Sequence, residues 1–222
     1  NEKFTSVTFN VTDGYQTIEP ISVTIDIEGA TDTTDYDGNE HSVSGYTATT
    51  KNELYDVTKD LVYVASNTET KREATVPSTV ARIDAGTTEM GLTEKNFKNT
   101  NPNFTNVVLN VKDGYQKVAP IDVTVTIVGN NDTKPYDSTE YSVSGYDVTN
   151  ISSPLYTTKD FEFTGTAEAK RIDAGTTDMG LAESQFNNTN DNFRTVTFEV
   201  TDGWMKIEPI DVTVTIVGAN DT

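Results

Sequence analysis

The chain is 222 residues long and 34% hydrophobic, with 35 acidic against 16 basic residues and a formal net charge of −19. That charge repels phosphate backbones and makes nucleic acid and anionic membranes poor partners, and no run approaches the roughly 18 apolar residues of a membrane-spanning helix. Without cysteine there is neither a disulfide framework nor a thiolate metal site, while 10 Tyr, 9 Phe and many Val and Thr supply β-forming material.

The N-terminal stretch "NEKFTSV" lacks the basic and apolar regions of a signal peptide, so the chain reads as an interior fragment of something longer. The first patterned element is "VTFNVTDGYQTI", where Val7, Phe9 and Val11 alternate with Thr8, Asn10 and Thr12. Asp13-Gly14 has the chemistry of a two-residue hairpin turn, and the same dipeptide recurs at 113 and 202. Folding about each predicts the apolar pairs Phe9 with Ile18, Leu109 with Val118, and Phe198 with Ile207. After Pro20, Pro120 and Pro209 comes another alternating strand, with the expected inward sets Val23, Ile25, Ile27, then Val123, Val125, Ile127, then Val212, Val214, Ile216. Thr24, Asp26 and Glu28, and Thr124, Thr126 and Val128, take the opposite, solvent-facing side.

Further along each copy, Tyr141 with Val143 and Phe161 with Phe163 alternate as strands, and "LAESQFNNTNDNF", with Leu181, Phe186 and Phe193, holds one helical turn before an Asn-rich loop. From "SGY" to "DAGTT" the first copy spans 39 residues, Gly45 to Asp84, and the second 28, Gly145 to Asp173. The extra residues lie around "REATVPSTVA" and read as a loop insertion. No amphipathic helix of ordinary length is visible. The expected fold is mainly β, in tandem elongated β-rich repeats.

The order "YDG" at Tyr36 to Gly38, "SGY", "DAGTT", "NTNPNF" and "VKDGYQKVAP" resembles the YDG-type and MBG-type tandem repeats of bacterial cell-surface adhesins, across essentially the whole length. The second copy departs from it with Tyr136, Asp137, Ser138. The resemblance implies β-grasp-like modules, or alternatively immunoglobulin-like β-sandwiches, and mucin-binding-like repeats of a Gram-positive surface protein. It also implies an extracellular chain, anchored to the cell wall through a segment not in this fragment. In the family's phase, residues 1–20 close a preceding repeat, 21–120 and 121–209 are whole repeats, and 210–222 open the next. The alternative phase is 1–104 and 105–222. Because the terminal pieces carry strand patterning, they are expected to pack on something.

Candidate chemistries follow from the same residues. "IDAGTT" at Ile83 and Ile172 mimics the two Asp-Thr/Ser-Gly loops of an aspartic protease, but Ala stands at the hydroxyl position and Arg82 and Arg171 precede it, so an Asp-x-Gly turn and no enzyme are expected. His41 is replaced by Tyr141 in the other copy and reads as a surface strand residue. Calcium is the one cofactor considered, with Asp32, Asp35 and Asp37 in one copy and only Asp132 and Asp137 in the other. A Lys-Asn crosslink would use Lys59 or Lys159 with Asn103 or Asn192. Two functional readings remain: attachment to a host mucin or other glycoprotein through exposed Tyr46, Tyr55, Tyr146 and Tyr156, or a structural stalk whose partners are neighbouring repeats of the same chain.

Overall fold

A computed structural model describes residues 3–64 and 79–219. Among these the fold is mainly β, as the period-two patterning predicts, and the helical content is two single 3-10 turns, Glu94–Asn96 and Glu183–Gln185. The second of these is the one helical turn expected in "LAESQF". No helix among the described residues is long and apolar enough to cross a membrane.

Ten strands run in order: β1 (Ile21–Gly29), β2 (Thr31–Asp35), β3 (His41–Ser44), β4 (Tyr46–Thr49), β5 (Leu61–Tyr63), β6 (Thr79–Arg82), β7 (Gly86–Glu89), β8 (Phe97–Asn99), β9 (Phe104–Lys112) and β10 (Tyr115–Ala119). The same order recurs as β11 (Ile121–Gly129), β12 (Asn131–Pro135), β13 (Tyr141–Ser144), β14 (Tyr146–Ile151), β15 (Phe161–Phe163), β16 (Glu168–Arg171), β17 (Gly175–Asp178), β18 (Phe186–Asn188), β19 (Phe193–Thr201) and β20 (Trp204–Glu208). Of the insertion expected around 72–81, residues up to 78 lie outside the described residues, and 79–81 belong to β6.

The chain divides into two compact units, Asn1–Thr31 with Val43–Val80 and Glu89–Tyr115, and Asp32–Ser42 with Ala81–Thr88 and Gln116–Thr222. In the first, the sheet β4-β1-β9 faces the pair β5-β8 across a core of Val23, Ile25, Ile27, Leu61, Phe97 and Phe104. Burying a side chain of this size contributes about 1.5–3 kcal/mol. In the second, Val123, Val125 and Ile127 of the sheet β14-β11-β19 pack with Phe161, Phe186, Phe193 and Phe198, while Met179, Leu181, Met205 and Ile207 form a smaller cluster beneath the sheet β12-β20-β17. The inward sets on β1 and β11 are those the alternation predicts, each residue at most 4% exposed.

The sheets β4-β1-β9, β14-β11-β19 and β12-β20-β17 each combine one antiparallel with one parallel pairing. The mainly β class holds, as an arrangement of several small sheets, and the described residues contain no helix of the kind a β-grasp wraps.

The Asp-Gly hairpins expected from the sequence do not form. β19 pairs with β11 and β20 with β12, so Phe198 and Ile207 belong to different sheets. β9 likewise pairs with β1, in a different sheet from β10. The dipeptide serves two other purposes. Asp202 accepts the N–H groups of Gly180 and Leu181 at 2.9 Å each, tethering the "MGL" loop, as Asp113 does for Gly91 and Leu92 at 2.9 and 2.8 Å. The glycine lets two parallel chains cross from one sheet to the next: a Cβ on Gly203 would land on the carbonyl oxygen of Asn130, and one on Gly129 on the backbone of Gly203. Gly29 and Gly114 repeat that crossing.

The terminal pieces also depart from expectation. Residues 4–19 and 210–219 join no sheet, and Val7, Phe9, Ile18, Val212, Val214 and Ile216 are 64–89% exposed. Their alternation is that of β19 and β11, but the strand each would pack against lies beside another copy of its sequence.

Candidate functional site

The most elaborate polar arrangement occurs twice, beneath the Asn-rich loops. In the first unit the Tyr55 hydroxyl lies 3.0 Å from both the Asp60 carbonyl and Asn99 Oδ1, and Asn101 Nδ2 donates to Asp60 Oδ2 at 2.9 Å. In the second, Tyr156 meets the Asp160 carbonyl at 2.9 Å and Asn188 Oδ1 at 3.1 Å, and Asn190 donates to Asp160 Oδ1 at 2.9 Å. Asn99 and Asn188 also donate to the backbone carbonyls of Phe104 and Phe193, folding the loop back over the ring. Each tyrosine stands edge-on to that phenylalanine, with ring centroids 5.0 and 4.8 Å apart.

The expectation that these tyrosines are exposed ligand contacts is therefore corrected. Tyr55 and Tyr156 are 4% and 2% exposed, and burial, with the Asp160 charge nearby, pushes the Tyr156 hydroxyl up to about 12. Tyr46 and Tyr146 are half-buried, Tyr46 against Tyr63 and Phe97, Tyr146 against Phe163 and Phe186. Their rings fill aromatic clusters because the strands carrying them alternate an aromatic with Thr or Asp, and the larger apolar surface turns inward.

The "DAGTT" turns are held by the arginines that precede them. Arg82 donates Nε to the Asp84 carbonyl and Nη2 to the Ala85 carbonyl, each at 2.7 Å, and Arg171 donates Nη2 to the Ala174 carbonyl at 2.8 Å. Within the second unit, Asn192 Oδ1 accepts the Ala85 N–H at 2.6 Å and Asn192 Nδ2 donates to Asp84 Oδ1 at 3.0 Å. Asp84 thus bonds an asparagine, where the protease arrangement requires a second carboxylate. Tyr36 packs edge-on to Phe193 at 5.8 Å, and Gly38, with φ +77°, lies over Leu155. Ser138, the counterpart of Gly38, keeps the left-handed conformation with φ +68°. The motifs "YDG", "DAG" and "NTNDNF" therefore meet at one polar and aromatic joint, which was not foreseen because their sequence separation hides it.

That joint gives a simple expectation. Asn192→Ala removes two hydrogen bonds to a half-buried turn and lowers stability by about 1–2 kcal/mol. The corresponding Asn103 is exposed, and its alanine variant stays within about 0.5 kcal/mol in urea unfolding.

Four of the five candidate calcium ligands have hydrogen-bonding or ion-pair partners within the protein. Asp32 Oδ2 accepts Gln116 Nε2 at 3.0 Å, Asp132 pairs with Lys134 at 3.0 Å, and Asp137 accepts the Thr139 N–H and the Tyr141 hydroxyl at 2.9 and 2.7 Å. Asp37 accepts the N–H and Nδ2 of Asn39 at 2.9 and 3.1 Å, and His41 Nε2, on β3 as expected, lies 2.9 Å from it. Asp35 sits at the exposed end of β2. Among the described residues no three Asp, Glu, His or Cys side chains come together as a metal site. The hydrogen bonds from Asn39, then that from His41, hold the Asp37 carboxyl at about 2, below its ordinary 3.8. A depressed carboxyl contributes stability above its unfolded value and loses it as pH falls through the folded one, so this contribution fades between about 4 and 2. Carboxyl NMR titration of Asp37 should show a midpoint near 2, rising only part of the way toward 3.8 in Asn39→Ala, which removes the side-chain hydrogen bond and keeps the backbone one.

Of the residues of the crosslink hypothesis, Lys59 pairs with Asp56 at 2.6 Å and Asn192 holds the turn described above, whereas Lys159 and Asn103 are exposed. An open groove of about 830 Å³ lies on the first unit beside Thr24, Asp26, Asn52, Leu54 and Asn110 and has no aromatic side chain in its lining.

No family model, no curated protein and no solved structure matches this chain.

Proposed function

We propose that the chain is a non-enzymatic repeat region of a bacterial cell-surface adhesin, displayed outside the cell, and that its modules act as structural spacers rather than as the ligand-recognising part. The observation that carries the spacer reading is the position of the tyrosines. The tyrosines expected as ligand contacts are not free to stack on a sugar: Tyr55 and Tyr156 are buried under asparagine loops, and Tyr46 and Tyr146 are half-buried in aromatic clusters. The repeated motifs are spent on crossings and joints, which a spacer needs in every copy. In this reading the chain works without a metal, and EDTA leaves its melting temperature unchanged.

A second reading, attachment to host mucin or another glycoprotein, is favoured by the open groove lined by Asp26, Asn52 and Asn110, whose polar groups suit hydroxyl recognition. Binding of the full chain to immobilised mucin and to a glycan array separates the two. The spacer reading expects no saturable signal up to high micromolar chain. Saturable binding weakened by Asn110→Ala, on an exposed position, would replace it with the attachment reading.

A further inference from the structure

The two repeats differ at two inward positions of one sheet, and the difference leaves buried polar atoms in the first without partners. In the second repeat β12 lies parallel to β20, with Asp132 beside Met205 and Lys134 beside Ile207. Lys134 Nζ stands 3.0 Å from Asp132 Oδ2, so the carboxylate is neutralised from its own strand, and the wholly buried Met205 adds apolar surface. In the first repeat β2 lies beside β10, and the Tyr36 N–H donates to the Ala119 carbonyl as the Tyr136 N–H does to the Glu208 carbonyl, which sets the same register. The aspartate is kept as Asp32, but Thr34 takes the place of the lysine and Gln116 that of Met205. Asp32 and Thr34 are the half-buried positions of β2, between the exposed Thr31, Thr33 and Asp35. Gln116 is 0% exposed. Its Nε2 donates to Asp32 Oδ2 at 3.0 Å and to the Lys117 carbonyl at 3.3 Å, while its buried Oε1 has no partner, and neither has the buried Thr34 Oγ1. Enclosed oxygens without partners are costly. No ion pair among the described residues includes Asp32. Three oxygen-bearing side chains thus surround the place where the other repeat puts an ammonium group.

We propose that a monovalent alkali cation takes the place of the Lys134 ammonium in the first repeat, held by the Asp32 carboxylate, Gln116 Oε1 and Thr34 Oγ1. The amide of Gln116 engages Asp32 Oδ2 and leaves Oδ1 to the ion. One carboxylate balances one positive charge, as it does against Lys134, and the neutral amide and hydroxyl oxygens supply further hard ligands without adding charge. A calcium ion would call for more carboxylates than this face of the sheet carries, since Asp35 points to the opposite side. Water completes the coordination from the half-open side of β2. The ion satisfies the two orphaned oxygens and the unpaired charge together, and so adds stability to a sheet that stands without it. It has no part in the spacer or attachment readings, and EDTA does not remove it.

The test uses the full chain and the ion alone. Thermal unfolding is followed by the fluorescence of the single tryptophan, Trp204, which belongs to the same compact unit as Asp32, Thr34 and Gln116. It is compared in sodium, potassium and tetramethylammonium chloride at equal ionic strength. Screening of the −19 charge is common to the three salts, whereas tetramethylammonium is too bulky to enter among three side chains. Sodium or potassium should raise Tm by about 3–5 °C over tetramethylammonium once its concentration is roughly tenfold above the dissociation constant. Thr34→Lys with Gln116→Met installs the second repeat's own pair and should abolish that difference. Asp32→Asn, which keeps the side-chain volume, should abolish it as well and reads the site without touching the buried Gln116. Equal Tm values of the native chain in the three salts would overturn the proposal, leaving water as the partner of the two oxygens. A difference that persists unchanged in both variants would overturn it too, because the effect would then belong to the acidic surface at large. So would a rise in calcium chloride that EDTA reverses, which would assign the site to a divalent ion.

Discussion

Gly203→Ala is expected to destabilise the second unit by about 3 kcal/mol, well beyond the ordinary loss for a glycine outside a helix. The new methyl group meets the Asn130 carbonyl oxygen and Gly129 on one side and the Met179 sulfur on the other. The thioether can swing away, but the backbone cannot, because Gly129 ends β11 and Asn131 begins β12, each held by pairings that place it. Separating the chains strains the parallel register on both sides of the crossing and loosens the Met179 N–H bond to the Gly203 carbonyl, now 2.8 Å. Urea unfolding reads the loss as a lower midpoint with an unchanged slope. The control lies in the same dipeptide at Gly14, where nothing stands within 4 Å of a Cβ, and Gly14→Ala should leave the midpoint where it was. Equal effects at the two positions would mean that backbone freedom, rather than close approach, explains the motif.

Tyr156→Ala should cost about 3–5 kcal/mol, the range for emptying an aromatic site in a packed core. The ring is 2% exposed, stands edge-on to Phe193 and lies parallel to Phe161 at 6.3 Å. Tyr156→Phe keeps the ring and loses only the hydroxyl, leaving Asn188 Oδ1 and the Asp160 carbonyl one donor short, for about 1–2 kcal/mol. A tyrosine kept for ligand contact would reverse this pattern, with near-native stability in both variants and loss only of binding. The hydroxyl also gives a titration test. Because its folded value is raised from 10.0 to about 12, its contribution is fully present below 10 and is lost as pH rises through 12. Ultraviolet titration should therefore show a late-ionising tyrosine that disappears in Tyr156→Phe.

Much of the β architecture was legible because period-two alternation reports burial directly. Val23, Ile25 and Ile27, and their counterparts on β11, face inward as read, and the short strands around Val143 and Phe161 are present. The Asp-Gly dipeptides were misread for a definite reason. A primed turn and a chain crossing both select an acceptor side chain followed by a residue without Cβ, and only the parallel pairing of β11 with β19, some 70 residues apart in sequence, separates the two uses. The tyrosines were equally ambiguous. A phenol suits a sugar face or a core with one polar partner, and the asparagines that close over Tyr156 stand 32 and 34 residues later, at Asn188 and Asn190.

Residues 121–129 and 210–218 carry the same nine amino acids, so the strand propensity and the apolar face of both belong to the sequence itself. Burial does not follow from them. β11 is interior because β19 and β14 supply the backbone partners on its two sides and Phe161 and Phe186 of another sheet close over its apolar face, whereas the later copy has neither and remains open to solvent. A strand's hydrogen bonds and half of its core contacts are always made by residues distant in the chain, which is why pattern determines which face turns inward and tertiary structure alone determines whether there is an inside for it to meet.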